Sequence, residues 1–273
     1  APDLISYNTT ISACARGFRW EEALALSVRV LQSSLRPDAF TFNSALGACS
    51  RSHQWVRALA LLEAMGSSRL LADVVSYGAT MAACSAGQES WLKALELFDD
   101  LCAQKLTPNR IVCNSLITAC DKGSSWLLAL AVLQASQDAG FRSDVVSFSA
   151  AMGACKACHE WQQALALFRL LHDEGLTATT VTWSVLISAC SQAEHWLQAL
   201  RLFDELRQSP TRPDVVTFNA AIGAAAHSSQ WQVAIGLLAE MIAARVAPSE
   251  VTARALAPAA LQREVWTKVA EML

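Results

Sequence analysis

Apolar residues recur along this chain with two periods at once. Over short stretches such as Trp196-Leu197-Gln198-Ala199-Leu200-Arg201-Leu202-Phe203-Asp204-Glu205-Leu206 they fall at i, i+3, i+4 and i+7, the stripe of an amphipathic helix. Over longer distances the whole pattern returns. Trp20, Trp55, Trp91, Trp126, Trp161, Trp196, Trp231 and Trp266 stand 35, 36, 35, 35, 35, 35 and 35 residues apart. Each tryptophan opens the second of two helical segments. The first runs like Val215-Val216-Thr217-Phe218-Asn219-Ala220-Ala221-Ile222-Gly223-Ala224. Its β-branched start is compatible with a strand, but its apolar positions then recur at helical spacing, and the Ser/Thr near its start can cap a helix. A tandem two-helix unit of about 35 residues predicts a stacked-helix solenoid rather than an enzyme fold with one central core.

The frame that starts each unit at its first helix gives repeats at 4–38, 39–73, 74–109, 110–144, 145–179, 180–214 and 215–249. A degenerate part-repeat or cap follows at 250–273, with Arg254 in its fifth slot and Pro258 inside its first helix. Residues 1–3 match the end of a repeat (compare Arg36-Pro37-Asp38), which predicts that the array extends upstream and that any targeting leader lies there. The third repeat has one extra residue near Gln88-Glu89-Ser90, between its helices, where length changes are tolerated.

Small residues hold fixed phases. Ala23, Ala58, Ala94, Ala129, Ala164, Ala199 and Ala234 follow the tryptophans and predict close helix approach. Cys14, Cys49, Cys84, Cys120, Cys155 and Cys190 share another phase, each after an alanine, with Ala225 in the seventh repeat. A slot that takes Cys or Ala is a small buried packing site, so these read as reduced thiols rather than disulfides. Pro2, Pro37, Pro108, Pro213 and Pro248 mark the turn into the next unit.

Composition changes this picture little: 53% of residues are hydrophobic, with no uninterrupted apolar run of membrane-spanning length. Charge changes it more. The net charge of −3 argues mildly against a polyanion partner, but the charge is unevenly placed. The seven first-helix segments carry Arg16, Arg51, Arg110, Lys122 and Lys156 against the single acid Asp121, a net +4 that leaves −7 for the rest.

Two helices in 35 residues, an Ala at one phase of the second, and the blocks "PDVVTFNAAI" (213–222) and "PDAFTFNSAL" (37–46) make the chain resemble the pentatricopeptide repeat family. The resemblance covers nearly the whole chain. Tetratricopeptide arrays share the helix–turn–helix plan but place Trp and Tyr in the first helix. Here the Trp opens the second, at a position where pentatricopeptide repeats commonly have Leu, and is read as packing between helices. The resemblance implies an all-α, right-handed superhelical α-solenoid that binds single-stranded RNA, one base per repeat, with N-terminal repeats towards the 5′ end.

In the family the base is chosen by the fifth and last residues of each repeat. Asn8 with Asp38, Asn43 with Asp73, and Asn114 with Asp144 then imply uridine, since an ionised carboxylate only accepts hydrogen bonds and uracil offers an N3–H. Ser184 with Asp214 implies guanosine, and Asn219 with Ser249 cytidine. Gly78 with Asn109 leans to adenosine, and Ser149 with Thr179 matches no known pairing. The implied core is 5′-U-U-(A)-U-N-G-C-3′. The second residues, Ile5, Phe40, Val75, Ile111, Val146, Val181 and Val216, sandwich the bases in the family, although apolar helix starts also suit ordinary packing. Arg16, Arg51 and Lys122 are the candidates for phosphate contact in the groove.

No catalytic set, metal or cofactor is expected. Cys155-Lys156-Ala157-Cys158-His159 spells the haem-attachment pattern, but Cys155 already belongs to the repeat's small-residue row. His172-Asp173-Glu174 lacks the downstream cysteine pair of a zinc deaminase. The leading expectation is a non-catalytic RNA binder acting in organellar RNA processing, stability, editing or translation, in chloroplast or mitochondrion, with no membrane or small-molecule partner. A protein-interaction scaffold, or the binding part of a longer enzyme, are the alternatives.

Overall fold

The computed structural model describes residues 3–256 apart from 34, 86 and 88. The expectations for Pro2, Pro258, Trp266 and the part-repeat beyond residue 256 lie outside the described residues. Among those described there are fifteen helices and no strand. The first helices of the repeats are α1 (Leu4–Arg16), α3 (Ala39–Arg51), α5 (Val74–Cys84), α7 (Arg110–Lys122), α9 (Val145–Ala157), α11 (Thr180–Gln192), α13 (Val215–His227) and α15 (Glu250–Leu256). The second helices are α2 (Trp20–Gln32), α4 (Trp55–Ser67), α6 (Trp91–Ala103), α8 (Trp126–Asp138), α10 (Trp161–Asp173), α12 (Trp196–Gln208) and α14 (Trp231–Ala243). Among the described residues no helix is long and apolar enough to cross a membrane.

The β-branched starts become helical because a side chain fixes the first turn. The cap is the residue before the helix rather than the Ser/Thr inside it. Asp3, Asp38, Asp73, Asn109, Asp144, Thr179 and Asp214 are extended, and each accepts a hydrogen bond from the backbone N–H three residues on. The expected hydroxyls have a second part. Thr41, Ser76, Thr182 and Thr217 reach back to the cap's own N–H and close a capping box. The six second helices from α2 to α14 other than α6 start at a tryptophan with no side-chain cap, behind a left-handed turn residue: Phe18, His53, Ser124, His159, Glu194 or Ser229. Their far ends reach φ > 0 at Arg69, Gly140, Gly175 and Arg245, as α6 does at Lys105. In the third repeat α5 stops at Cys84, and the extra residue is taken up before α6, where buried Ser90 donates to the Cys84 carbonyl at 2.6 Å.

The chain divides into two compact units after Ser143. In the first, α1, α3, α5 and α7 pack on one another in sequence, and each second helix packs on its own first helix. In the second, α9, α11, α13 and α15 form the corresponding layer, with α10, α12 and α14 behind it. Each unit is a stack of helix–turn–helix pairs, the architecture of an all-α solenoid. The seven alanines of the second helices are fully buried, and so are Cys49, Cys84, Cys120, Cys155 and Cys190. Burial pushes the Cys155 thiol up to about 12, with Cys158 and Glu160 adding to it, which fits a packing role for that half of the C-x-x-C-H run.

The seven described tryptophans that open second helices, Trp20 to Trp231, are half-buried. The Arg57 guanidinium lies 4.5 Å above the Trp20 ring, and His195 lies 4.2 Å from Trp161. Trp91 fits only because the next repeat has Gly123, where a Cβ would stand 2.5 Å from the indole.

Candidate nucleic-acid interface

The candidate residues gather at the N-terminal ends of the first helices. Ile5, Phe40, Val75, Ile111, Val146, Val181 and Val216 each occupy the second position of such a helix, and all are 55–71% exposed. The packing alternative therefore fails for this row: these side chains leave the core. A large apolar side chain is thus exposed at the same phase of all seven repeats.

Beside them sit the fifth and last residues. The capping geometry explains why the last residue is close to the fifth, although 30 residues separate them. Within each unit, the last residue caps the next first helix, and that helix stacks on the one holding the fifth residue. Asn8 donates through Nδ2 to Asp38 at 3.2 and 3.4 Å, and Asn43 to Asp73 at 3.3 and 3.5 Å. Asn219 reaches Ser249 at 3.5 Å. Asp38 and Asp73 also hold the cap bonds, from Thr41 N and Ser76 N, both at 2.8 Å. In each case burial alone would raise the carboxyl's pKa. The side-chain and backbone hydrogen bonds from Thr41 and Asn8, or from Ser76 and Asn43, outweigh it and leave both below the ordinary carboxylate value. These carboxylates are ionised acceptors at neutral pH.

The other pairs differ. Ser149 meets Thr182 Oγ1 at 2.9 Å rather than its own repeat's last residue, Thr179. Ser184 turns back to the Val181 carbonyl at 2.9 Å. Gly78 contributes no side chain, and Asn109 caps α7 through Val112 N at 3.0 Å. Asn114 stands at the fifth position on α7, and Asp144 caps α9 through Ser147 N at 2.9 Å.

The three basic candidates lie elsewhere. Arg16, Arg51 and Lys122 are the last residues of α1, α3 and α7, eight residues or about 12 Å along the helix from the fifth position. There they complement the helix C-terminus. Arg51 donates to the Ala15 carbonyl at 3.2 Å, and Lys122 is 3.5 Å from Asp121. Arg16 is exposed.

One group that sequence reasoning treated only as generic caps belongs to this site. Four of the hydroxyls three residues into the first helices touch the fifth residue of the preceding repeat: Thr41 Oγ1 is 2.7 Å from Asn8 Oδ1, Ser76 Oγ 2.6 Å from Asn43 Oδ1, Thr182 Oγ1 2.9 Å from Ser149 Oγ, and Thr252 Oγ1 2.6 Å from Asn219 Oδ1. The phase was readable in the sequence as Thr41, Ser76, Ser147, Thr182, Thr217 and Thr252.

Family models for pentatricopeptide repeats match across the chain. The "PPR repeat" model matches residues 5–26, 40–70 and 216–246, the "Pentatricopeptide repeat domain" model 131–193, and the "PPR repeat family" model 178–227. The chain belongs to the pentatricopeptide repeat family. Solved pentatricopeptide repeat structures agree. The crystal structure of the pentatricopeptide repeat protein PPR10 from maize is 26% identical with a TM-score of 0.67, and the match covers 93% of this chain and 36% of that one. This chain thus spans about a third of the length of that protein. PPR10 in complex with an 18-nt psaJ RNA element matches at 17% identity and TM-score 0.64, over 99% of this chain and 44% of that one. The pentatricopeptide repeat domain of Arabidopsis thaliana protein-only RNase P 1, in complex with tRNA, matches at 12% identity and TM-score 0.56, over 68% of this chain and 95% of that domain. No curated protein sequence matches the chain.

Proposed function

We propose that this pentatricopeptide repeat chain binds single-stranded RNA and reads one base per repeat over the seven repeats 4–38 to 215–249. The observation that carries the reading is the exposed apolar row from Ile5 to Val216. Its side chains stand on the helix ends that carry the fifth residues and, within each unit, near the capping last residues. Stacking an unpaired base on an apolar surface needs such a row, and reading its edge needs polar groups next to it. Family membership supports the reading, and so does the RNA held by PPR10 in its complex.

The chemistry fits the assignments. Asp38 and Asp73 are ionised acceptors suited to a uracil N3–H, and Asp144 is assigned the same role with Asn114. Ser184 is small and turned away, which leaves room for a purine beside Asp214. The Asn219–Ser249 pair has no carboxylate and suits cytidine. Asn109 and Thr179 serve repeats whose fifth residues, Gly78 and Ser149, make no hydrogen bond of the Asn–Asp type. Arg16, Arg51 and Lys122 contribute the positive charge that attracts the phosphate backbone. With so few cations, binding is weak and salt-sensitive. The chain itself performs no chemistry. Its place is organellar RNA processing, stability, editing or translation, in chloroplast or mitochondrion, by covering a short site.

The test is a gel-shift titration with an RNA bearing 5′-UUAUNGC, a scrambled RNA and double-stranded DNA. The chain should prefer the first, and Asn8→Ser should move the first base from uridine towards guanosine. Equal affinity for all three probes would overturn the reading.

A further inference from the structure

The hydroxyls three residues into the first helices are buried to 2% exposure or less: Thr41, Ser76, Ser147, Thr182, Thr217 and Thr252. A buried hydroxyl has one proton to place. At three junctions between repeats the fifth-residue amide is the nearest acceptor for that proton. The backbone N–H of the preceding cap residue donates to the hydroxyl oxygen: Asp38 N to Thr41 at 3.4 Å, Asp73 N to Ser76 at 3.3 Å, and Ser249 N to Thr252 at 3.0 Å. The proton then faces the amide oxygen of the fifth residue, Oδ1 of Asn8, Asn43 and Asn219, at 2.7, 2.6 and 2.6 Å; at Thr41 and Ser76 it is shared with the cap carboxylate, Oδ1 of Asp38 at 2.8 Å and of Asp73 at 2.9 Å, whereas at Thr252 the competing group is the Ser249 hydroxyl at 3.4 Å. With Oδ1 occupied, Nδ2 faces the last residue of its repeat and keeps a second N–H to give.

We infer that this hydroxyl is a third specificity-determining position. It holds the fifth-residue amide with its donor end towards the base, and without it the amide turns over and offers an acceptor. The inference rests on the RNA reading proposed above. The third repeat supports it independently. There the fifth residue is Gly78, and the matching hydroxyl is replaced by Val112, which is fully buried. A Cβ built on Gly78 would rest 3.5 Å from Val112 Cγ2 and 3.6 Å from Ile111 Cγ2. The amide and its hydroxyl are missing together. Helix capping does not explain that pairing, because Asn109 caps α7 through the Val112 N–H with no hydroxyl present. At the sixth repeat Ser184 satisfies its own helix, and Thr217 is bonded within its cap, accepting from Asp214 N at 2.8 Å and donating to Asp214 O at 2.9 Å.

The seventh repeat isolates the effect. In the first and second repeats an acceptor-only carboxylate also demands that Nδ2 face it. Ser249 can either donate or accept, so Thr252 alone sets the orientation of Asn219. A donor from Asn219 matches the N3 acceptor of cytosine and meets the N3–H of uracil head-on.

The experiment compares Thr252→Val, Thr252→Ser, Thr41→Val and the unaltered chain by fluorescence anisotropy on RNAs that differ only at the first or seventh base. Thr252→Val should cut the cytidine-over-uridine preference at the seventh base by about five-fold, Thr252→Ser should retain it, and Thr41→Val should have a smaller effect at the first base. A second arm builds the missing reader. Gly78→Asn with Asn109→Asp should gain little uridine preference at the third base, and adding Val112→Ser should create it. Unchanged preference in Thr252→Val, or full preference without Val112→Ser, would overturn the inference. If the unaltered chain shows no preference at any base, the RNA reading itself has failed.

Discussion

The fourth repeat lacks a core side chain, and restoring it should stabilise the first unit. In the second helices of the other repeats one slot holds Val30, Met65, Leu101, Leu171, Leu206 or Met241, all fully buried. The fourth has Ser136, whose hydroxyl is spent on the Leu133 carbonyl of its own helix at 2.7 Å. Beside it lies a cavity of about 300 Å³ lined by Phe98, Pro108, Cys113, Ala131, Val132, Ala135, Ala139 and Phe141 as well as Ser136 itself. A leucine there would bury its side chain without displacing a neighbour, a gain of about 1.5–3 kcal/mol. Loss of the intrahelical hydroxyl bond takes back ~1 kcal/mol or less. The net expectation for Ser136→Leu is a stabilisation of about 1–2 kcal/mol, centred on α7 and α8. Repeat arrays unfold in parts, so the measurement is hydrogen exchange resolved by segment, with thermal melting alongside. Protection in α7 and α8 should rise about five- to thirty-fold. Lower protection, or a gain confined to residues beyond Ser143, would show that the slot is not the missing core position.

Three other outcomes follow from the same structure. Gly123→Ala places a methyl 2.5 Å from the Trp91 ring and should cost about 1–3 kcal/mol, visible as a lower melting temperature with a shifted tryptophan emission; an unchanged melt would refute the close packing. Arg245→Gly, at φ +57° after α14, should stabilise by about 0.5–1 kcal/mol in chemical denaturation, whereas destabilisation would argue that the Arg side chain holds the turn. Asp38 and Asp73 have folded pKa values below the unfolded ones, so their capping contribution is complete above the ordinary carboxylate range and is lost as pH falls through the folded values. Uridine preference at the first two bases should therefore hold from neutral pH down to the ordinary carboxylate value of about 3.9 and be lost only below it, and a loss already near pH 6 would point to other groups.

The helices and their register were legible because the tryptophan ladder and the alanine row count residues directly, and the structure starts each second helix on its tryptophan. The caps were legible only in part. Asp38 and Asp214 were visible before each first helix, but the neighbouring Thr41 and Thr217 have capping propensity too, and only geometry shows that the acid caps while the hydroxyl closes the box. The row from Ile5 to Val216 was ambiguous because apolarity alone suits both a core and a stacking surface; the structure places its members outside the core. The link from Thr41 to Asn8 spans 33 residues and follows from the stacking of α1 on α3, which no local pattern encodes. Arg51 is a similar case: its bond to the Ala15 carbonyl of the preceding repeat follows from helix stacking and was not legible in its charge.

The most direct test of one-base-per-repeat reading is selection of RNA from a randomised pool by this chain. The account predicts enrichment of unpaired segments containing U-U, one variable or adenosine position, U, one free position, then G-C, in that order and spacing. Enrichment of paired RNA, of the same bases in reversed order, or of no common sequence would contradict it.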